Sequence, residues 1–226
     1  MQLNERGIGM RYPRAAAATK RLIDLTVAFV VLLVALPVML IVAMSVWIGL
    51  GRPILFVQER PGLHGKVFRL YKFRSMRDLV DSSGRVLSDD QRLTSLGRFL
   101  RRSSLDELPQ LFNVLRGTMS LVGPRPLLTQ YLPLYSAAQY RRHEMKPGIT
   151  GWAQVSGRNA LTWEEKFRLD VLYVDRWNLL IDIRILLVTA LRVVRASGIS
   201  QYGHATVEYF RGNDPEPSPL TSLSGS

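Results

Sequence analysis

Two adjacent carboxylates, Asp106 and Glu107, are the side chains best suited to chemistry in this sequence. They lie within the stretch RRSSLDELPQ, directly after two arginines and before a proline. A structural role is available, because Ser104 and Glu107 have the spacing of a capping box at the start of a helix. That role leaves the second acid and the basic neighbours unexplained, so the stretch favours either a helix start or a catalytic acid pair.

Cations accompany the acids in three motifs. Arg101 precedes them, Arg125 stands between two prolines in VGPRP, and Arg158 ends the glycine-rich stretch KPGITGWAQVSGR. Flanking prolines restrict the backbone around Arg125, as suits a residue held ready for a phosphate; a surface arginine in a stiff turn is the alternative. Two carboxylates alone would repel a diphosphate, whereas a divalent ion reverses that effect. We therefore predict Mg²⁺ bound by Asp106 and Glu107 together with substrate phosphate oxygens.

The composition narrows the classes of partner and site. The 226 residues carry a formal net charge of +12, which favours phosphorylated substrates, anionic lipids or nucleic acid as partners. The chain has no cysteine, so disulfides, thiolate nucleophiles and thiolate zinc sites are excluded. The absence of a GxxxxGK[ST] motif excludes an ordinary P-loop.

Residues 25–50 form an apolar run without a single charge. As a straight helix the run would reach about 39 Å, enough to span a hydrocarbon core of about 30 Å. Pro37, near its centre, removes a helix hydrogen bond and bends the axis. Basic residues flank both ends, and the positive-inside rule places both flanks in the cytoplasm. We predict a re-entrant membrane hairpin over residues 20–51, kinked at Pro37, with a transmembrane span as the alternative.

The remaining chain predicts an α+β, mainly helical fold. A basic segment, residues 1–19, precedes the hairpin; residues 52–213 form the main folded unit, and a disordered Pro- and Ser-rich tail covers residues 214–226. The stretch PILFVQERPGLHGKVFRLYKFRSM predicts a small β-hairpin that carries Lys72. Helices are expected over about 91–102, 106–116, 136–145, 162–177 and 178–196.

Two of the expected helices carry further signals. Thr162 and Glu165 form a capping box at the start of one helix. The last helix has its charged residues on one half and an aliphatic opposite face, a pattern that suits either a core helix or an amphipathic helix at the membrane interface. The sequence therefore predicts interfacial helices around a cytoplasmic site as one of two arrangements.

The ordered motifs KRLIDL, ALPVML, RPG, YKFRSM, LTSLGRFLRRSSLDELPQLFNVLRGTMSLVGPRP and PGITGWAQVSGRN resemble the bacterial sugar transferase family, the small monotopic phosphoglycosyl transferases. The resemblance runs from about Lys20 to Phe210. It implies an enzyme at the cytoplasmic face of the bacterial inner membrane that transfers a sugar 1-phosphate from a UDP-sugar to polyprenyl phosphate and releases UMP. The implied pathways are the synthesis of O-antigen, capsule, exopolysaccharide or protein-linked glycans, with membrane lipids and not nucleic acid as further partners.

The resemblance also implies roles for individual residues. Asp106 would attack the β-phosphate, and Glu107 would assist with Mg²⁺. The family often has serine before the central proline of its membrane hairpin, where this chain has Leu36; the bend then rests on Pro37 and packing. The positions that match phosphate-binding residues of the family are Lys72, Arg101, Arg125 and Arg158.

Two other functions are compatible with the residues. One is a membrane-tethered basic module that binds lipid or nucleic acid, in which the acids only cap helices. The other is a metal-dependent phosphohydrolase, in which water replaces the lipid phosphate as acceptor. Products distinguish the enzymes, because the transferase yields sugar-diphosphate lipid and UMP, whereas the hydrolase yields free sugar phosphate.

Overall fold

A computed structural model describes residues 13–157, 160–195 and 209–213. Arg158, the tail from residue 214 and the first 12 residues of the predicted basic segment lie outside the described residues. The fold is α+β and mainly helical, as predicted. Its elements in chain order are α1 (Arg14–Leu50), β1 (Leu55–Pro61), β2 (Val67–Phe73), α2 (Asp89–Arg92), α3 (Ser95–Ser103), α4 (Gln110–Leu115), β3 (Ser120–Val122), α5 (Ala137–Tyr140), β4 (Gly148–Thr150), α6 (Trp152–Ser156), α7 (Trp163–Arg176) and α8 (Leu179–Arg195).

Helix α1 is long and apolar enough to cross a membrane. It is helical without interruption from Arg14 to Leu50, including Pro37. A straight helix of this length would measure about 55 Å. The helix does not separate into two arms at Pro37. The helix alone does not show on which side of a membrane its ends lie, and the re-entrant hairpin stays a prediction.

One face of α1 packs against the rest of the protein in both halves of the helix. Ala28, in the first half, is fully buried in a cluster with Leu70 and Val114. Val46, in the second half, is fully buried in another cluster with Phe73. The helix is therefore part of two hydrophobic cores. Its other face is apolar and exposed, with side chains that include Phe29, Val34, Leu40, Ile41 and Ile48.

Two small sheets connect the motifs of the sequence. Strands β1 and β2 form the predicted antiparallel hairpin, with Leu55 opposite Phe73 at its open end. Strands β3 and β4 pair in parallel, which the sequence did not predict. Their backbones approach closely, because a Cβ atom on Gly148 would lie 2.1 Å from the Gly123 nitrogen. Glycine is required there, and this contact brings the VGPRP and PGITGW motifs side by side.

The predicted helices are present only in part, because the one expected over about 91–102 is divided into α2 and α3 by extended backbone at Leu93 and Thr94. Helix α7 begins with the predicted capping box, in which the Thr162 side chain and Glu165 exchange hydrogen bonds. Helix α8 buries its acid Asp182 and exposes aliphatic residues instead. The predicted helix over residues 136–145 is the short α5 followed by a 3-10 turn, Arg141–Glu144. The exposed aliphatic residues of α8 are Leu180, Ile183, Leu187 and Leu191.

Candidate active site

A sharp turn between α3 and α4 holds the two acids. Helix α3 ends at Ser103, and Ser104 adopts a left-handed conformation with φ of 58°. A 3-10 turn, Leu105–Glu107, follows, and α4 begins only at Gln110. Of the two interpretations of this stretch, the capping box of Ser104 and Glu107 is not formed, because Ser104 makes no side-chain cap. The helix predicted from residue 106 likewise starts four residues later, so the acids precede it.

Asp106 is buried, and its side chain has no hydrogen-bond partner among the residues that the structure describes. The residue is 7% exposed. Burial, followed by the charge of Glu107, raises the pKa of Asp106 to about 6, against the opposing charges of Lys72, Arg101 and Arg125. A buried carboxylate that lacks partners is a frequent feature of functional sites. Asp106 is thus a buried acid whose ionised form is stabilised by nearby cations and by no hydrogen bond from the described residues.

Glu107 has the opposite environment, although it is the next residue. Its Oε1 atom accepts hydrogen bonds from Lys72 Nζ and from Arg125 Nη2, both at 2.8 Å. Burial opposes ionisation of Glu107, but the charges of Arg125 and Lys72 outweigh it and hold its pKa far below the ordinary range. Glu107 is therefore an ionised group that fixes two cations, and it leaves its Oε2 atom for another partner.

The structure brings together three of the four predicted phosphate-binding residues. Lys72 on β2 and Arg125 after β3 meet at Glu107. Arg101 on α3 donates from Nε to Ser75 Oγ at 3.0 Å, and its charge lowers the pKa of Asp106. Arg158, the fourth residue, lies outside the described part of the chain. The predicted roles of these residues stay predictions.

Sequence reasoning missed two arginines next to the site. Arg60 on β1 donates from Nη1 to the Pro126 carbonyl at 3.3 Å, and burial together with the charge of Arg125 lowers the pKa of Arg60 to about 10. Arg142 donates from Nη2 to the Arg125 carbonyl at 2.7 Å. Arg60 lies within the quoted motif RPG, but that motif gave no reason to place it at the site. Arg142 carries no local signal, because its contacts are made across the fold.

The two acids supply too few ligands to bind Mg²⁺ alone, so a Mg²⁺ site here also requires oxygens of a phosphorylated substrate. The described residues contain no group of three or more side chains that could hold a metal ion. Asp106 and the free oxygen of Glu107 supply a small set of oxygen ligands, and neither group is occupied by a hydrogen bond from the described residues. Mg²⁺ commonly binds one or two carboxylates and takes its other ligands from phosphate oxygens and water. The donor set therefore matches the predicted Mg²⁺ site, which stays a prediction.

The fold and site combine a helix long and apolar enough to cross a membrane with a buried acid among cations, and comparison with known proteins identifies the family. The model of the bacterial sugar transferase family matches residues 15–196. The chain therefore belongs to the bacterial sugar transferase family. This result confirms the resemblance predicted from the sequence and the prediction of a phosphoglycosyl transferase enzyme.

Three relatives show the range of the similarity. The uncharacterized sugar transferase EpsL of Bacillus subtilis is 55% identical over 194 residues, which are 86% of this chain and 96% of EpsL. The UDP-glucose:undecaprenyl-phosphate glucose-1-phosphate transferase of Xanthomonas campestris is 43% identical over 85% of this chain and 42% of its own length. The undecaprenyl-phosphate galactose phosphotransferase of Salmonella typhimurium is 41% identical over 82% of this chain and 42% of its own length. The chain thus matches less than half of the two larger relatives.

Proposed function

We propose that this enzyme transfers a sugar 1-phosphate from a UDP-sugar to polyprenyl phosphate and releases UMP, in the first membrane step of bacterial glycoconjugate synthesis. The names of the Xanthomonas and Salmonella relatives support a reaction of this class. The observation that carries the proposal is the contrast between the two acids: Asp106 is buried without a partner, whereas Glu107 is fixed by Lys72 and Arg125. One acid is thus available for bond formation, and the other organises the cations.

The first proposed step forms a covalent bond to Asp106. A carboxylate oxygen of Asp106 attacks the β-phosphorus of the UDP-sugar, the bond from that phosphorus to the bridging oxygen breaks, and UMP leaves with the electron pair. Lys72 and Arg125 lie where they can neutralise charge on the diphosphate, because Glu107 holds both cations beside Asp106. Mg²⁺ held by the two acids would supply further positive charge to the phosphate oxygens.

The second proposed step regenerates Asp106. An oxygen of the polyprenyl phosphate attacks the phosphorus of the aspartyl-phosphosugar, and the bond between that phosphorus and the Asp106 oxygen breaks. Polyprenyl phosphate is already ionised near neutral pH, so it has little need of a general base. Covalent catalysis is therefore a more useful role for Asp106 than proton abstraction, since it divides one transfer between two anions into two steps.

Intact-mass measurement tests the covalent mechanism. With UDP-sugar and Mg²⁺ but no lipid, the protein should release up to one UMP per site and gain the mass of a phosphosugar. Asp106→Asn should form no adduct, and Glu107→Gln should form it slowly, because Lys72 and Arg125 lose their shared anion. UMP release only after lipid addition, without an adduct, would indicate direct transfer.

Free sugar phosphate as the final product would instead indicate the phosphohydrolase. A panel of UDP-sugars is needed to find the correct donor.

The membrane arrangement proposed here is re-entrant, with both ends of α1 at the cytoplasmic face of the inner membrane. Near its start, Lys20 Nζ contacts Asp182 Oδ2 at 2.6 Å, and Arg21 donates to the Val114 carbonyl. At its end, the Leu50 carbonyl accepts from Arg74. One folded body therefore contacts both ends of the helix, which favours one side of the bilayer for both. The exposed aliphatic residues of α8 supply a second apolar surface, as expected of an interfacial helix.

Cysteine labelling tests this arrangement, because the chain has no native cysteine. Single cysteines at Ala18 and at Glu59, both exposed, lie on either side of the apolar run. A membrane-impermeant maleimide added to intact cells should label neither Ala18→Cys nor Glu59→Cys until the cells are permeabilised. Labelling of Ala18→Cys in intact cells, with Glu59→Cys protected, would show a true span.

A further inference from the structure

The backbone of the VGPRP motif is anchored at three successive carbonyls. The Pro124 carbonyl accepts from the Gly148 nitrogen at 3.0 Å, the Arg125 carbonyl from Arg142 Nη2 at 2.7 Å, and the Pro126 carbonyl from Arg60 Nη1 at 3.3 Å. Proline at both neighbouring positions also fixes φ there. The main chain of Arg125 is thus immobilised from several directions.

The side chain of Arg125 contrasts with its anchored main chain. It is 44% exposed and bonds to Glu107 through a single nitrogen, Nη2. Its remaining donors are therefore available to a substrate. A guanidinium can bind a phosphate through two parallel hydrogen bonds, but only when its plane and position are correct. The anchored backbone therefore fixes the point from which the Arg125 side chain starts, and the bond to Glu107 holds one nitrogen at its end.

Arg142 is the most deeply buried of the anchoring groups. Its side chain is 1% exposed and that of its ion-pair partner Asp170 on α7 is 3% exposed. Both Nε and Nη2 of Arg142 contact Asp170 Oδ2, at 3.0 and 2.6 Å, and the same Nη2 contacts the Arg125 carbonyl. Nη1 lies 3.3 Å from the Tyr135 hydroxyl. The guanidinium is therefore held in one orientation, directed at the main chain of Arg125.

A buried ion pair of this kind needs a reason beyond stability. Desolvation of two charges largely cancels their attraction, and apolar residues of similar volume are often as stable. The Arg142–Asp170 pair connects α7 and the 3-10 turn after α5 to the carbonyl of a site residue. An apolar replacement would fill the same space but would leave that carbonyl without its donor.

We infer that the Arg142–Asp170 pair is a positioning device for Arg125, which sets the guanidinium at the diphosphate through the Arg125 carbonyl. The inference rests on the proposed function, in which Arg125 acts on the diphosphate. Arg142 and Asp170 are positioning residues, since neither side chain is exposed to a substrate. Their effect should appear in turnover, because a correctly directed arginine is most valuable when charge develops in the transition state.

The main test replaces the pair by apolar residues, Arg142→Met with Asp170→Leu, in the full-length protein. We expect this variant to fold, as judged by its thermal unfolding, because the buried charges are removed together. We expect its kcat for UMP release to fall by about 10- to 100-fold, since misplacement by about 1 Å can cost that much. The KM for UDP-sugar should change less than kcat.

The chain offers a matched control pair one residue away. Arg141 Nη2 contacts Asp175 Oδ1 at 2.6 Å, between the same 3-10 turn and the same helix α7, but the two side chains are 34% and 33% exposed. This control pair makes no contact with the Arg125 carbonyl. Arg141→Met with Asp175→Leu should therefore leave kcat within about twofold, as expected for an exposed ion pair.

The same pair of changes in an Arg125→Ala protein distinguishes positioning of Arg125 from general support of the fold. Addition of the Arg142→Met and Asp170→Leu changes to an Arg125→Ala protein should have no further effect on the residual rate, because the pair acts through Arg125. The same loss of rate in both backgrounds would overturn the inference. A folded pair variant with normal kcat would overturn it as well, provided that Arg125→Ala is impaired.

Failure of the proposed function gives a different result. Near-normal activity of Arg125→Ala would show that Arg125 does not act on the diphosphate, and the inference would fall with that role. If the apolar pair does not fold, Arg142→Lys replaces it. Lysine keeps a positive charge beside Asp170 but cannot donate to both Asp170 and the Arg125 carbonyl in the fixed geometry of a guanidinium. The same outcomes then apply to kcat in the two backgrounds.

Discussion

Among the described residues, the buried carboxylates beneath α1 and the one at the candidate active site have opposite surroundings. Beneath the start of α1, Asp182 accepts from Lys20 Nζ at 2.6 Å and Trp177 Nε1 at 3.0 Å, and its other oxygen lies 2.7 Å from the Tyr173 hydroxyl. Asp24, in the same region, accepts from the Ser120 hydroxyl and the Leu121 nitrogen. At the active site, Asp106 is equally buried, but among the described residues no donor reaches it.

The difference distinguishes structural acids from Asp106, the acid that we propose to be reactive. A buried carboxylate is costly unless hydrogen bonds and charges satisfy it, so an acid with full partners stabilises the fold. An acid that lacks partners destabilises the fold and is retained at sites where a substrate or ion supplies what is missing. The number of donors to a buried carboxylate therefore indicates its role better than its burial does.

The largest expected effect is a loss of stability when the structural acid Asp182 is replaced. Asp182→Ala leaves Lys20 in a largely buried position without its carboxylate and removes acceptors from Trp177 and Tyr173. We expect the free energy of unfolding to fall by about 3–5 kcal/mol, as for other broken buried ion pairs. Chemical unfolding in detergent micelles measures this change. The exposed Asp90→Ala serves as the control, and a loss for Asp182→Ala below about 1 kcal/mol would contradict the comparison.

The second expected effect is on turnover. Arg125→Lys keeps the positive charge beside Glu107 but loses the planar, two-pronged donor geometry. We expect kcat to fall by about 10- to 100-fold with the fold intact, a change of about 1.4–2.8 kcal/mol in the barrier. Steady-state UMP release with the correct UDP-sugar and polyprenyl phosphate measures it. Activity close to that of the unaltered enzyme would make Arg125 a surface residue of the loop.

The smallest expected effect is a gain in stability at the active site. Because burial raises the pKa of Asp106 to about 6, the native protein binds this proton more tightly than the unfolded chain, whose aspartate has a pKa near 3.8. Ionised Asp106 therefore costs stability above about pH 6, and the cost disappears as the pH falls toward 4. In Mg²⁺-free buffer, Asp106→Asn should raise the free energy of unfolding by about 1–2 kcal/mol at pH 8 and by little at pH 4.

If Asp106→Asn is less stable than the unaltered protein at pH 8, the distinction between Asp106 and the structural acids is wrong. That result would mean that the ionised carboxylate stabilises the fold, as Asp182 is expected to do. A gain of equal size at both pH values would assign the effect to packing and not to charge. Measurements at the two pH values on the same preparations separate these outcomes.

Local signals in the sequence predicted the parts of the fold whose causes are local. The capping box of Thr162 and Glu165, the β-hairpin and the long apolar helix depend on neighbouring residues, and the structure contains all three. The similar spacing of Ser104 and Glu107 misled, because Lys72 and Arg125 bind the Glu107 carboxylate in competition with a cap. A capping pattern does not reveal competing partners distant in sequence.

Contacts between residues distant in sequence were likewise not predicted at the candidate site. The motifs and the resemblance singled out Asp106, Glu107, Lys72 and Arg125, and the structure brings these four residues together, although their roles stay predictions. The parallel pairing of β3 with β4 and the contact of Arg142 with Asp170 were not predicted. Both depend on residues separated by 28 positions in each case, as in Ser120 with Gly148 and Arg142 with Asp170. No periodicity within one element specifies such a contact.

The packing of α1 on both hydrophobic cores has a practical consequence for production of the enzyme. Removal of the apolar helix is a common way to convert a membrane-anchored enzyme into a soluble one. Here truncation before Gly51 would also remove Ala28 and Val46, which have no exposed surface, and would open both cores to water. It would further remove Lys20 and Arg21 from their partners on α8 and α4. A shortened catalytic fragment should therefore aggregate, and purification of active protein requires the helix together with a lipid or detergent that covers it.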